Sequence, residues 1–149
     1  MTACRTAAAL LAAAALLGAS APASARGPDV NYMLHCSGCH TAEGVSPPLG
    51  RIPPLKDAVG HLALLPEGRR YIANVPGIRN SGLGPEDTAA LLNWIVATYA
   101  GPSRPAGFTP FTGDELIAWR KDPPDDVMIL RARVRDLLAA RGISLEPYP

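Results

Sequence analysis

Five residues near the start of the chain, Cys36-Ser37-Gly38-Cys39-His40, decide what kind of domain this sequence builds. The pattern C-x-x-C-H is the signature of covalent attachment of a c-type haem. Two thiols separated by two residues match the spacing of the two vinyl groups along one edge of the porphyrin, to which they add as thioethers. His40 follows directly, so its imidazole is placed to reach the iron as the proximal ligand. Small Ser37 and Gly38 let the backbone pass close to the ring.

Cysteine pairs also build structural zinc sites and redox-active dithiols, and the sequence disfavours both. Structural zinc takes four ligands, but only His35 and His61 remain beyond the motif, and there is no second cysteine pair. A thioredoxin-like dithiol belongs to a βαβ unit, and no strand pattern precedes Cys36. We therefore interpret the motif as the site of one covalent haem c, with thioethers from Cys36 and Cys39 and with His40 on the iron.

The chain begins with the pattern of an export signal. Arg5 gives a positive start, residues 7–17 form a run of Ala and Leu, and residues 21–25 are small and end in an A-x-A cleavage pattern. The apolar run is too short to span a bilayer as a helix, which takes about 20 residues. The alternative is that this segment is kept as an N-terminal membrane anchor, but an Ala-rich run makes a weak anchor. We expect cleavage near Ala25, a periplasmic mature protein without a transmembrane anchor, and the loss of Cys4.

Composition and net charge further limit the classes of function that the chain can have. The formal net charge is +1 and falls to about zero when Arg5 is removed, which argues against nucleic acid as a partner, because that would require a strongly basic face. The mature chain keeps two cysteines, both in the motif, so it has none for a structural disulfide. Aromatic residues make up only 5% of the sequence, beside 16 prolines and 14 glycines. This composition is typical of a core that is completed by a large flat cofactor.

The spacing of apolar residues predicts helices along the chain. A first helix, capped by Asp29, runs into the motif, and a proline-rich loop follows it. The clearest helix begins at Pro85 and continues to Tyr99, because proline suits the first helical position and acidic residues follow it. The predicted helices up to residue 101 cover residues 28–39, 56–65, 67–74 and 85–99.

The last third of the chain has its own pattern. A linker over residues 102–110 precedes a capping box, Thr112 with Glu115, which opens a helix to about Lys121. A second, amphipathic helix covers residues 125–141. We therefore divide the chain into a signal peptide (1–25), a haem domain (26–101) and a linker with a helical extension (102–149) that packs on the domain or on a partner.

Residues 28–100 resemble the class I cytochromes c. Tyr32 lies in the helix that leads into the motif, and Trp94 lies in a last helix like the one that crosses the first helix in that family. The segment Ser46-Pro47-Pro48-Leu49-Gly50 is similar to the family's Gly-Pro-x-Leu-x-Gly loop, whose proline supports the proximal histidine. The resemblance implies an all-α, cytochrome c-like helical domain wrapped around one covalent haem.

The resemblance breaks down on the distal side of the iron. The family carries a methionine ligand in a loop shortly before the last helix, but residues 74–83 contain none, and Ile78 lies about where it is expected. His61 is the first candidate for the distal ligand and Met128, delivered by the extension, is the second. The third alternative is an open site near Asn74 or Asn80. Axial ligand identity sets both the haem potential and the access of external ligands.

These features predict an electron carrier rather than an enzyme. We expect one-electron transfer in the periplasm between a dehydrogenase and a downstream acceptor such as a terminal reductase, either by transient docking or as the haem subunit of a dehydrogenase complex. Arg69, Arg70 and Arg79 are candidates for neutralising the haem propionates, or else line a solvated surface. The alternative function is a haem sensor or peroxidase-like protein with an open distal site, against which the sequence shows no clear distal acid–base pair.

Overall fold

The computed structural model describes residues 26–46 and 52–145. The predicted export signal, residues 47–51 of the proline-rich segment and the last four residues lie outside this part of the chain. All regular structure in the described residues is helical, which confirms the predicted all-α fold class. The elements are α1 (Pro28–His35), α2 (Ser37–His40), α3 (Val59–Ala63), α4 (Pro66–Asn74), α5 (Pro76–Arg79), α6 (Pro85–Tyr99), a 3-10 turn (Gly101–Ser103), α7 (Gly113–Lys121) and α8 (Val127–Ala139).

Proline begins many of these helices. It occupies the first position of α1, α4, α5 and α6, where its missing N–H costs nothing and its fixed φ already suits the helix. The predicted first helix is wrong in two details. Asp29 lies in the first turn and Gly27 is the cap, and the helix breaks at Cys36, whose φ of −123° and ψ of −39° lie outside the helical region.

Helix α6 has the predicted bounds and forms the centre of the core. Its buried face consists of Thr88, Ala89, Leu91, Leu92, Ile95, Val96 and Tyr99. Helix α1 packs on α6, and the contact is aromatic. The ring of Tyr32, which is fully buried, lies with its centre 5.2 Å from that of Trp94 and 5.0 Å from that of Tyr99. The first and last helices of the predicted haem domain are therefore joined beside the C-x-x-C-H motif.

The apolar residues Val30, Met33 and Leu34 of α1 do not enter this core. They are 43%, 54% and 58% exposed and line an open groove of about 460 Å³ together with Trp94 and Thr98 of α6. The short helix α1 meets α6 through the face that carries Tyr32, so its other apolar positions are turned outward.

Helices α7 and α8 pack on α4, and α7 also packs on α6. Thr112 caps α7 as predicted, since its side chain accepts a hydrogen bond from the N–H of Glu115. The capping box is not closed, because the Glu115 carboxylate binds Arg69 instead. Helix α8 begins at Val127, two residues later than predicted, because Asp126 is its cap and accepts from the N–H groups of Met128 and Ile129.

Two helical glycines differ sharply in the space around them. A Cβ atom at Gly68 in α4 would collide with the backbone carbonyl of Leu62, whereas a Cβ at Gly77 in α5 would meet nothing within 4 Å. We expect Gly68→Ala to destabilise the protein by about 1–3 kcal/mol through overpacking. Gly77→Ala is the matched control and should be neutral or stabilising by up to ~1 kcal/mol. Urea unfolding measures both, and equal midpoints for the two variants would contradict this packing of α4 on Leu62.

Candidate haem site

The C-x-x-C-H motif forms a single helical turn. The carbonyl oxygen of Cys36 accepts hydrogen bonds from the N–H of Cys39, at 3.1 Å, and from the N–H of His40, at 2.9 Å. Cys36 is buried, Cys39 is exposed, and both are free thiols. The Ser37 hydroxyl donates to the Met33 carbonyl at 2.7 Å and ties this turn to α1. The structure thus brings together two reduced thiols and a histidine, as attachment to two vinyl groups and an iron requires.

The electrostatics of Cys36 do not suit a redox dithiol. Burial, with a smaller contribution from Cys39 beside it, raises the pKa of the Cys36 thiol to about 11. Reactive dithiols depend on a lowered thiol pKa, because the thiolate is the nucleophile. The rival zinc site also lacks its donors, since no cluster of three or more His, Cys, Asp or Glu in residues 26–46 and 52–145 is arranged to hold a metal ion.

His40 is held in the form that a metal ligand needs. Burial lowers its pKa below the ordinary value, and the backbone carbonyl of Pro53 opposes this effect only in part, so the imidazole is neutral near pH 7. The contact with Pro53 does not meet hydrogen-bond geometry, and the buried Nδ1 atom has no partner among the described residues. A ligating histidine normally gives its second ring N–H to such a carbonyl. The neutral ring, with a backbone carbonyl near it and a buried Nδ1 still without a partner among the described residues, therefore fits a haem iron ligand.

Pro53 is a residue beside His40 that the sequence reasoning did not single out. The histidine-supporting proline was expected within residues 46–50, of which residues 47–50 lie outside the described part of the chain. The structure places Pro53 beside His40. A signal was present, because Pro53-Pro54-Leu55 repeats the pattern of Pro47-Pro48-Leu49 only six residues later.

The loop that delivers Pro53 is closed by backbone contacts. The Gly44 carbonyl accepts from the N–H groups of Leu55 and Lys56, both at 2.9 Å. Gly44 has a φ of +71° and lies against the ring of Tyr99, where a Cβ atom would clash. Only glycine therefore fits this position without strain.

The phenol groups of Tyr32 and Tyr99 bind the residues that follow His40. Tyr32 donates to the Thr41 carbonyl and Tyr99 donates to the Ala42 carbonyl, each at 2.7 Å. Burial is the main cause that raises the pKa of Tyr32, so its phenol remains a neutral donor. These two bonds fix the chain directly after the histidine to α1 and to α6.

The two candidate distal ligands lie on separate helices. His61 is half-buried in α3, and Met128 is 39% exposed in the first turn of α8. Ile78, in the segment where the resembling family carries its ligand, is buried in α5. Asn74 at the end of α4 is 4% exposed, and its Oδ1 atom has no hydrogen-bond partner among the described residues.

The family of the chain is shown by comparison with individual proteins rather than with family models. No family model matches it. It is 30% identical over 132 residues to a cytochrome c-552 of Thermus thermophilus, a match that covers 75% of this chain and 88% of the relative. The chain belongs to the c-type cytochromes. A second cytochrome c-552 of Thermus thermophilus is 29% identical over 119 residues, which cover 66% of this chain and 90% of that protein.

Membership in the c-type cytochromes implies a haem c cofactor, a role in electron transfer rather than catalysis, and redox proteins as partners. Within the described ranges of this cytochrome, no helix is long and apolar enough to cross a membrane.

Two of the three arginines that were candidates for neutralising the haem propionates pair with acidic residues of this cytochrome instead. Arg69 pairs with Glu115 at 2.6 Å and Arg70 pairs with Asp122 at 2.9 Å, so both bind the C-terminal extension. Arg79, at the end of α5, is exposed. The destination of a long cationic side chain depends on tertiary packing, which the local sequence does not encode.

Proposed function

We propose that this protein is a periplasmic, class I-like cytochrome with one covalent haem that carries single electrons between redox proteins. The observation that supports this most strongly is the turn of α2, where two free thiols directly precede a half-buried His40 whose ring lies near the Pro53 carbonyl. This is the donor set and the arrangement that a covalently attached haem needs.

Each residue of the site has a distinct task in this proposal. Cys36 and Cys39 would hold the haem through two thioethers, and adding each S–H across a vinyl group needs no oxidant. His40, which burial keeps neutral, would be the proximal ligand of the iron. The Pro53 carbonyl, which lies near the ring, would accept the second ring N–H of the ligating histidine and set the orientation of the ring. The haem, once bound, would supply a one-electron ferric/ferrous couple.

The proposed location and partners follow from the sequence. The export signal in residues 1–25 leads to the periplasm, where covalent haem attachment of this kind takes place. A dehydrogenase as donor and a terminal reductase or another downstream acceptor are the proposed partners, met by transient docking or in a dehydrogenase complex. A mature charge near zero suits neither nucleic acid nor a strongly charged surface.

A second function is favoured by the distal segment. Ile78 offers no ligand there, and the buried Oδ1 of Asn74 lacks a partner among the described residues. An open distal position beside such a group would suit a haem sensor or a peroxidase-like protein. Electron transfer is the better-supported function because His61 and Met128 are both available as distal ligands in this chain.

Absorption spectra of the mature holoprotein with and without carbon monoxide decide between these functions. We expect a low-spin ferrous spectrum that carbon monoxide does not change, because a firmly held distal ligand blocks the iron. His61→Ala is expected to give a high-spin haem that binds carbon monoxide, while Met128→Ala keeps the wild-type spectrum. His35→Ala, which removes an exposed histidine of α1, is the matched control. A high-spin wild-type protein that binds carbon monoxide readily would favour the sensor or peroxidase-like function.

A further inference from the structure

Two tyrosine hydroxyls, from two different helices, hold the backbone directly after His40. Tyr32 of α1 donates to the Thr41 carbonyl and Tyr99 of α6 donates to the Ala42 carbonyl, each at 2.7 Å. Tyr32 is fully buried and Tyr99 is 8% exposed, so water does not readily replace either hydroxyl. The centres of the two rings lie 5.0 Å apart. The two carbonyls that follow His40 are therefore fixed to a pair of packed helices.

Thr41 has a backbone conformation that needs such support. Its φ is +56° and its ψ is 172°, in a region that a β-branched residue rarely enters. Strain of this kind persists only where the surrounding contacts hold it. Here the Tyr32 hydroxyl holds the Thr41 carbonyl, and the Thr41 Oγ1 atom accepts from the N–H of Glu43 at 3.3 Å. Without the bond from Tyr32, the peptide next to His40 would be freer to turn.

Tyr99 also supports the loop that carries Pro53. Gly44 packs on the Tyr99 ring, where a Cβ atom would collide, and the Gly44 carbonyl accepts from the N–H of Leu55 at 2.9 Å. Pro53, whose carbonyl lies near the His40 ring, is only two residues before Leu55. The backbone of His40 and the carbonyl near its ring are therefore both linked to the aromatic residues of α1 and α6.

We propose that Tyr32 and Tyr99 are positioning residues for the iron ligand His40. Their hydroxyls fix residues 41–44, and this segment sets the direction of the His40 side chain and the place of the Pro53 carbonyl beside its ring. A carbonyl that accepts the second N–H of a ligating imidazole makes that ligand more basic, and a more basic ligand favours ferric iron. The two hydroxyls therefore lower the reduction potential. This inference rests on the proposed function, because it requires a haem ligated by His40.

The test removes each hydroxyl and keeps each ring, with Tyr32→Phe and Tyr99→Phe in the full-length holoprotein. We expect the hydrogen-bonded amides of His40, Leu55 and Lys56 to exchange hydrogen about tenfold faster or more, because each variant loses one buried hydrogen bond. The ferrous form should gain about threefold over the ferric form. For a single electron, at about 59 mV per tenfold change, this is a rise of ~30 mV in reduction potential.

Trp94→Phe is the matched control. The Trp94 ring packs on both tyrosines, with its centre 5.2 Å from that of Tyr32 and 5.6 Å from that of Tyr99. Among the described residues, however, the side-chain hydrogen bonds to the carbonyls of residues 41 and 42 come from the two tyrosines. This variant should unfold at lower urea concentration through lost packing, while its reduction potential and the exchange of the His40 amide stay as in the wild type.

Several outcomes would overturn the inference. It fails if both tyrosine variants keep the wild-type potential and the wild-type amide exchange, or if Trp94→Phe shifts the potential as much as they do. If one tyrosine variant does not accumulate, the other must still show both changes, since each removes a separate bond. Covalent haem and reversible reduction in the wild type, with no shift in the variants, would reject this inference and leave the proposed function intact. A wild-type protein without covalent haem would contradict both.

Discussion

His40→Ala is expected to abolish reversible electron transfer while leaving the haem on the chain. The thioethers of Cys36 and Cys39 still hold the porphyrin, but the iron loses the proximal imidazole that sets its spin state and its potential. The absorption spectrum should change from low-spin to high-spin, and nearly all of the reversible voltammetric signal should disappear. Imidazole added to the solution should restore part of the low-spin spectrum, because it replaces the missing ring.

The matched control for this variant is His35→Ala. His35 lies in the last turn of α1 and is exposed, so its loss should leave the spectrum and the voltammetric signal unchanged. A His40→Ala protein with a wild-type spectrum would show that another residue ligates the proximal side, and the role proposed for His40 would be wrong.

The double variant Cys36→Ala/Cys39→Ala is expected to lose almost all haem once the protein is unfolded. Without thioethers the cofactor is held only by His40 and by packing, which unfolding removes. Because a ligand that binds only the folded state stabilises it, the variant should also unfold at lower urea concentration. Haem-dependent peroxidase staining after denaturing electrophoresis measures the retained cofactor.

Each single cysteine variant should keep one thioether and therefore retain haem after unfolding, at lower yield. Ser37→Ala is the control within the same turn, since it removes only the hydrogen bond to the Met33 carbonyl. If the double variant retained haem as the wild type does, attachment through these two cysteines would be excluded.

The helices whose starts were predicted correctly are those with a recognisable start signal in the local sequence. The bounds of α6 follow from Pro85 and the acidic residues after it, and the start of α7 follows from the Thr112 cap. The break at Cys36 was not predictable, because the helical spacing continues through it and the backbone turns there only to form the motif. The exposed side of α1 was also missed, since periodicity does not tell which apolar face meets α6.

The candidate site also has a part that the local sequence predicts and a part that it does not. Cys36, Cys39 and His40 are contiguous, so their chemistry could be predicted from the sequence, and the structure gathers them in one turn. Pro53 was not singled out because the sequence holds two Pro-Pro-Leu segments six residues apart, and the local pattern does not tell which of them lies near His40. The distal ligand stays a prediction, with His61 and then Met128 as its candidates. The pairing of Arg69 with Glu115 could not be predicted, because the two residues are 46 positions apart in the sequence.

The mass of the exported protein, measured after complete unfolding, tests covalent haem attachment most directly. We predict the mass of the chain from about Arg26 onward plus that of one haem, with neither Cys36 nor Cys39 open to alkylation. The mass of the bare polypeptide, with both cysteines alkylated, would contradict the covalent haem and with it the proposed electron transfer through His40.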